Sequence, residues 1–330
     1  MKIGGKEVPR GQRAHIEIPV GRMPSQAMVS LPVRAFCGSQ EGVSLWLSAA
    51  IHGDEINGVE IIRRVLEVID PAQLAGNVIA APIVNVFGFA SQSRYLPDRR
   101  DLNRSFPGSR KGSLAARLAK IFMAEIVEGC SHGIDIHTGA AGRVNLPQVR
   151  CNLNDEATRG CAEAFGAPVM VHSRGPGGSL RRAATARGKR VLVYEAGEVQ
   201  RYNPGAIEVG VEGVLRVMAA LGMIAPRPGR EAPPPVASFR QQWVRAQRGG
   251  IVHINVALGD RVVRRQPLAA ISDPFGDRAH LIRSPAEGYV IGCITNPLVH
   301  RGVAVLHLAR VESDVNGAPM PAQLDNGIGP

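Results

Sequence analysis

Apolar and polar residues alternate along the chain with two different periods, and each change of period marks an element. Val43 to Ile51 is a largely apolar run of strand length, which reads as a buried strand. Directly after it, Ile56, Val59, Ile62, Leu66 and Ile69 recur at helical spacing and form the stripe of an amphipathic helix. Asp54 and Glu55 are expected in its first turn, where carboxylates suit the helix dipole. Further strands are expected at Val78 to Phe87, Gly133 to Thr138 and Arg190 to Glu195. Helices are expected at Leu114 to Val127, capped by Ser113, and at Pro204 to Leu221, with Asn203 as cap and Pro204 at the first helical position. Strands alternating with helices up to about residue 223 predict an α/β domain with a largely parallel or mixed sheet.

The Pro-rich stretch APRPGREAPPP, Ala225 to Pro235, then breaks the pattern. From Trp243 to Ala309 the apolar segments are short and rich in Val and Ile, with turn signals at Arg248-Gly249-Gly250, Gly259-Asp260 and Glu287-Gly288, which predicts a small all-β unit. Two halves of it look alike, GGIVHINVALGDRV and EGYVIGCITNPLV. The chain is therefore expected to divide into a large α/β domain over 1–225, a linker over 226–236, a small all-β domain over 237–311 and a loose tail over 312–330.

Composition narrows the classes. With 330 residues, 45% of them hydrophobic, the chain can bury a sizeable core. No segment approaches the roughly 18 consecutive apolar residues of a membrane helix, and the opening residues lack the apolar core of a signal peptide. A soluble, cytoplasmic protein is expected. The five cysteines, Cys37, Cys130, Cys151, Cys161 and Cys293, are scattered and lack a CxxC pair, so reduced and mostly buried thiols are expected. The net charge of +11 is spread along the chain and aromatics make up only 4%, a poor match to a nucleic-acid binder with its clustered basic residues and stacking rings. Neither nucleic acid nor membrane is expected as a partner. A basic balance suits anionic substrates, and it also suits mere solubility.

The chemistry concentrates at four places. His52 and Glu55 stand three apart at the carboxyl end of a strand, where open α/β sheets place their sites. Asp135 and His137 stand two apart on a short strand and so face the same side, which lets Asp135 hydrogen-bond beside the ligands. Together His52, Glu55 and His137 make the His2Glu set that holds a catalytic zinc and leaves a position for water. Glu195, at the end of the strand Val191 to Tyr194, can take a proton from an activated water and pass it to a leaving amine. Glu198, beyond Gly197, is the competing candidate. Finally, Asp101-Leu102-Asn103-Arg104 sets a guanidinium fork beside an amide, a pairing suited to a carboxylate. Each feature alone has a plainer reading, as an ion pair, a hydrogen-bonded core histidine or a solvated loop.

As an ordered set, HGDE at 52–55, RY at 94–95, DLNRSFPG at 101–108, DIHTG at 135–139 and YEAG at 194–197 resemble the succinylglutamate desuccinylase/aspartoacylase family, within the zinc carboxypeptidase-like group. The resemblance covers roughly residues 40 to 225, with a smaller β domain behind. It implies a zinc carboxypeptidase-like mixed sheet flanked by helices, followed by a small barrel-sandwich-like β domain. It also implies one zinc per chain, held by His52, Glu55 and His137, and hydrolysis of an N-acyl amino acid or related amine. Glu195 corresponds to the general base and acid, and Asn103 and Arg104 to the carboxylate-recognition pair. Arg94 corresponds to the oxyanion-stabilising arginine, with Arg99 and Arg100 as substitutes, and Arg181 and Arg182 are both candidates for a further substrate arginine.

Two rivals remain. A carboxypeptidase-type peptidase would use the same metal and the same carboxylate grip. A non-catalytic binding protein is suggested by the β domain, whose two-half layout resembles biotinyl and lipoyl carriers. Covalent carriage is excluded, because those modules need an acceptor lysine and none follows Lys189. The β domain is expected to shape the rim of the catalytic cleft, with Arg261, Arg264 and Arg265 adding positive potential, or else to serve as a solubilising or dimer-forming module. The sequence leaves the oligomeric state open, a homo-oligomer included.

Overall fold

In a computed structural model, which describes residues 1–228, 232, 234–277 and 279–311, the chain is built on a thirteen-stranded mixed sheet. Four parallel strands form its centre: Arg190–Gly197, His132–His137, Gln40–Ala49 and Ala75–Ala81. Antiparallel strands extend it on both sides, the hairpin Gln12–Arg22 and Met28–Cys37 beyond Ala75–Ala81, and Arg143–Cys151 beyond Arg190–Gly197. The α/β class and the mixed sheet agree with the sequence pattern.

Period-two alternation explains how the sheet buries both faces. On the strand Gln40–Ala49, Leu45, Leu47 and Ala49 pack toward helices Asn57–Val68 and Pro204–Ala220. Trp46 points the other way, into a second core with helix Leu114–Phe122 and the N-terminal hairpin. The helices lie where periodicity put them, with informative departures. Leu114–Phe122 is capped by Ser113, whose Oγ accepts from Ala116 N at 3.3 Å, and its last turn, Met123–Val127, widens into a π-helix. The strand expected to run to Phe87 stops at Ala81, before Pro82, and residues 86–90 form a short helix capped by Asn85. Asn203 occupies a cap position without capping. Its Oδ1 is already taken by Asn57 Nδ2 and the Glu198 amide.

The C-terminal β unit has two attachments. One is a four-stranded antiparallel sheet that includes Gly250–Ile254 and Pro267–Ser272. The other belongs to the large sheet: Gly288–Ile294 pairs antiparallel with Arg143–Cys151, and Ala304–Arg310 and Gln241–Arg245 follow outward. The long strands of the two similar half-sequences thus enter different sheets, and each half adds a short strand to the other's sheet: Arg261–Val262 pairs with Gly288–Ile294, and Leu298–Val299 with Gly250–Ile254. Leu146, Val169 and Val171 pack with Tyr289, Ile291 and Ala309 along this seam. Part of the Pro-rich stretch (229–231 and 233) and the whole tail expected at 312–330 lie outside the described residues. No helix among the described residues is long and apolar enough to cross a membrane. The cysteines are unpaired and four of the five are buried.

Candidate active site

The strand Gln40–Ala49 ends in a sharp turn. Ala50 is left-handed (φ 48°), and its carbonyl and that of Ala49 accept from Asn85 and Val84. The segment 51–56 therefore runs as a turn, and the helix begins at Asn57 rather than at Asp54. The reason is that the Glu55 carboxylate faces two imidazoles instead of solvent at a helix start. Gly53 is required here, because a Cβ on it would stand 1.9 Å from the Gly88 carbonyl carbon.

His52, Glu55 and His137 are 4%, 2% and 4% exposed, and one ligand atom from each lies within 4.8 Å of the others. Glu55 Oε1 stands 2.6 Å from His52 Nδ1 and Oε2 stands 2.8 Å from His137 Nδ1. The other ring nitrogens are also engaged. His52 Nε2 faces Asp101 Oδ1 at 3.2 Å, and His137 Nε2 faces Asp135 Oδ2 at 2.9 Å. Asp135 is fixed in turn by Ser48 Oγ at 2.8 Å. A carboxylate behind each ring is placed to hold a proton on Nε2, which would leave each Nδ1 to a metal, the arrangement found behind metal-ligating histidines. The donor set and its support fit a divalent cation of the zinc type.

Electrostatics point the same way. Burial alone would raise the Glu55 carboxyl, but the two imidazoles and their hydrogen bonds outweigh it and hold its pKa well below the usual range. Burial would likewise lower both histidines, yet the facing carboxylates hold them above their ordinary value. These residues form one tightly coupled charged cluster.

Around it lies a cavity of about 460 Å³. Glu195 lines it, one strand over from His137 and in register with it. Its Oε2 accepts from Asn145 Nδ2 at 2.9 Å and its Oε1 lies 3.3 Å from Arg150 Nη1. Glu198 does not line the cavity and pairs with Arg201. Arg94 does line it, with Nη2 3.0 Å from Asp101 Oδ2 and Nη1 3.5 Å from Glu55 Oε1. Arg99 and Arg100 are exposed and outside it. Asn103 and Arg104 both line the cavity, and Asn103 Oδ1 accepts from Leu180 N at 2.9 Å. Of the other pair, Arg181 is buried and lines the cavity, whereas Arg182 is exposed. Arg181 donates to Ser173 Oγ, its Nη1 has no partner, and burial and Arg150 pull its pKa down to about 10.

Three contributors escaped the sequence reading. Asp101 was read only as part of a loop motif, although it does for His52 what Asp135 does for His137. Asn145 and Arg150 sit on the strand Arg143–Cys151, where polar residues and Pro147 hide the strand pattern. Between the pairs Glu195↔Gln148 and Gly197↔Asn145 this strand carries one extra residue. That bulge restores Arg143 and Asn145 to the face that carries Arg150. From the β unit, Trp243, Arg245 and Ala304 line the cavity, whereas Arg261, Arg264 and Arg265 do not.

Trp243 is stacked on His307, with centroids 3.9 Å apart and planes 5° apart. His307 is 1% exposed, neither ring nitrogen has a partner, and burial, then Arg150 and Arg143, pull its pKa down to about 3. An unfolded histidine takes up a proton below its ordinary 6.5, while the folded one declines it until about 3. Stability should therefore fall as pH drops through that window, by up to about 1.4 kcal/mol per pH unit. In denaturant titrations at pH 6, 5 and 4, His307→Phe should lose this part of the slope. An unchanged slope would assign the acid sensitivity elsewhere.

The model of the succinylglutamate desuccinylase/aspartoacylase catalytic domain matches residues 41–221, a span that contains every residue of the cluster and Glu195. The chain belongs to this family. It is 25% identical over 277 residues to the N-alpha-acetyl-L-2,4-diaminobutyric acid deacetylase of Halomonas elongata, covering 79% of this chain and 80% of that one. Among solved structures, the succinylglutamate desuccinylase/aspartoacylase from Rhodobacter sphaeroides superposes with a TM-score of 0.83 at 24% identity, over 94% of this chain and 99% of that one. The product-bound ectoine utilization protein EutE from Ruegeria pomeroyi gives 0.80 at 22% identity, over 92% and 98%. The two solved structures share this fold along nearly their whole length.

Proposed function

We propose that this family member is a zinc-dependent hydrolase that cleaves the amide bond of an N-acyl amino acid, releasing a carboxylate and a free amine. The observation that carries the reading is the buried His52–Glu55–His137 cluster, with a carboxylate behind each imidazole and Glu195 one strand away. A zinc ion held there would polarise the acyl carbonyl and acidify a water molecule. Glu195, oriented by Asn145 and Arg150, accepts the proton of the attacking water and delivers it to the leaving nitrogen. Arg94, anchored by Asp101, offers positive charge where the carbonyl oxygen becomes anionic. Asn103, Arg104 and Arg181 grip the carboxylate of the amine half. The cavity is walled by the β unit through Trp243, Arg245 and Ala304, which favours a small substrate over a peptide chain.

The test is a panel of N-acetyl, N-succinyl and N-formyl amino acids, beside peptides, with the zinc-loaded protein. Turnover of acylated amino acids, lost on chelation and absent with peptides longer than two residues, is expected. Efficient trimming of long peptides would instead support the carboxypeptidase reading. Within the panel, Arg104→Ala should weaken free-acid substrates by on the order of 1.5–3 kcal/mol, the worth of a charge-assisted hydrogen bond. If amidated and free-acid substrates suffer equally, Arg104 is structural.

A further inference from the structure

Two side chains hold Glu195, Asn145 through Oε2 and Arg150 through Oε1. Both belong to Arg143–Cys151, the strand on which the β unit docks. What holds them in turn lies in the β unit itself. The backbone ladder between Arg143–Cys151 and Gly288–Ile294 runs from Arg143↔Ile294 to Asn145↔Gly292 and ends there. On the far side of Gly288–Ile294, Val290 stands opposite Leu308 and Gly292 opposite His307, with Ile291 between them as the extra residue of a bulge.

The Ile291 carbonyl accepts from Gln148 Nε2 at 3.0 Å, a contact that spans 143 positions of sequence. Gln148 is fully buried and stands opposite Glu195 in register. Its Oε1 accepts from Arg150 Nε at 3.4 Å. Gln148 therefore ties the guanidinium that faces Glu195 to a backbone carbonyl of the β unit.

Gly292 serves the other holder. Its φ is not positive, so the backbone there does not require glycine. What the residue provides is space. A Cβ on Gly292 would stand 2.9 Å from Asn145 Oδ1, whereas the next atoms, His307 Cβ and Val144 O, would lie at 3.4 and 3.5 Å. The group that must give way is thus the amide whose Nδ2 bonds Glu195. An amide is planar and rigid, so a rotation that withdraws Oδ1 also turns Nδ2 off the carboxylate.

We infer that Ile291 and Gly292 of the β unit are positioning residues for Glu195. The bulge carbonyl sets Arg150 through Gln148, and the glycine leaves the slot in which the Asn145 amide lies. This rests on the hydrolase reading above and gives the β unit a part in the proton transfers, although it supplies neither metal ligand nor base. A reacting group must be held to within roughly 0.5 Å by the shell behind it. Here that shell is shared between the α/β part and the β unit.

The experiment compares Gly292→Ala, Asn145→Ala and the double variant in the full-length, zinc-loaded protein, on the best substrate of the N-acetyl, N-succinyl and N-formyl panel. Gly292→Ala should lower kcat by about tenfold, the worth of one misplaced charge-assisted hydrogen bond, with KM and zinc content unchanged. In the Asn145→Ala background the same change should cost less than about twofold, because residues that act through one another are not additive. Gln148→Met tests the second arm: it should also lower kcat, and lose its effect in an Arg150→Met background. The side-chain amide resonances of Asn145, assigned by their absence in Asn145→Ala, read the geometry without turnover. They should move in Glu195→Gln, which alters their acceptor, and in Gly292→Ala. An unchanged kcat, equal losses from Gly292→Ala with and without Asn145, or an unmoved Asn145 amide overturns the inference while leaving the hydrolase reading intact. An Asn145 amide that moves in Gly292→Ala, in a protein that cleaves no N-acyl amino acid, would support the placement of Glu195 and refute the hydrolase reading.

Discussion

His137→Ala is expected to retain almost no zinc after dialysis, while the wild type carries about one ion per chain, and turnover should vanish with the metal. A catalytic zinc site relies on three protein ligands and leaves the fourth position to water. Deleting one leaves His52 and Glu55 alone, and removes the partner of Glu55 Oε2 except for the Thr138 amide. His52→Ala should behave alike. Asp135→Asn and Asp101→Asn make the comparison sharper, because toward a metal these residues would act only through the imidazoles behind which they sit, with Asp101 anchoring Arg94 as well. Their metal affinity should fall by roughly 10–100-fold rather than disappear. Metal analysis with circular dichroism separates lost ligation from lost fold. Full zinc occupancy in both histidine variants would remove them from the ligand set.

The parts of this protein that a sequence shows well are those where one local rule decides. The stripe Ile56 to Ile69 and the apolar run before it are helix and strand in the structure, since period and burial agree there. The HxxE and DxH spacings were legible for the same reason: three residues in a turn, or two on a strand, fix relative position without knowledge of the fold. What stayed hidden depends on long-range pairing. The strand Arg143–Cys151 carries cavity-facing Asn145 and Arg150 and a bulge, so its alternation is broken by the site it serves. Asp101 reaches His52 across 49 positions, a contact no local pattern encodes. The β unit's contribution was placed on Arg261, Arg264 and Arg265 because they cluster in sequence. The cavity instead takes Trp243 and Arg245 from a strand that joins the large sheet through its outer edge. The pairing of Gly288–Ile294 with Arg143–Cys151 and that of Val236–Ser238 with Val169–His172 bring that strand near.

Glu195→Gln is expected to bind zinc normally and to lose turnover by roughly 100-fold or more, the range associated with a general acid–base group. The substitution preserves shape and the hydrogen bond that Asn145 can make to the remaining carbonyl oxygen, so positioning is largely kept. What goes is the capacity to accept the water proton and return it to the amine, two transfers for which no other carboxylate among the described residues is free on the cavity. Glu198 is paired with Arg201 and lies outside the cavity, and Asp135 is held between Ser48 and His137. Because the lost step is chemical, kcat should fall while KM changes little. Asn145→Ala should give a smaller loss, since Arg150 still holds the other carboxylate oxygen. Near-normal turnover in Glu195→Gln with full zinc would show that another group moves the proton, and Glu198→Gln would then be the next variant to measure.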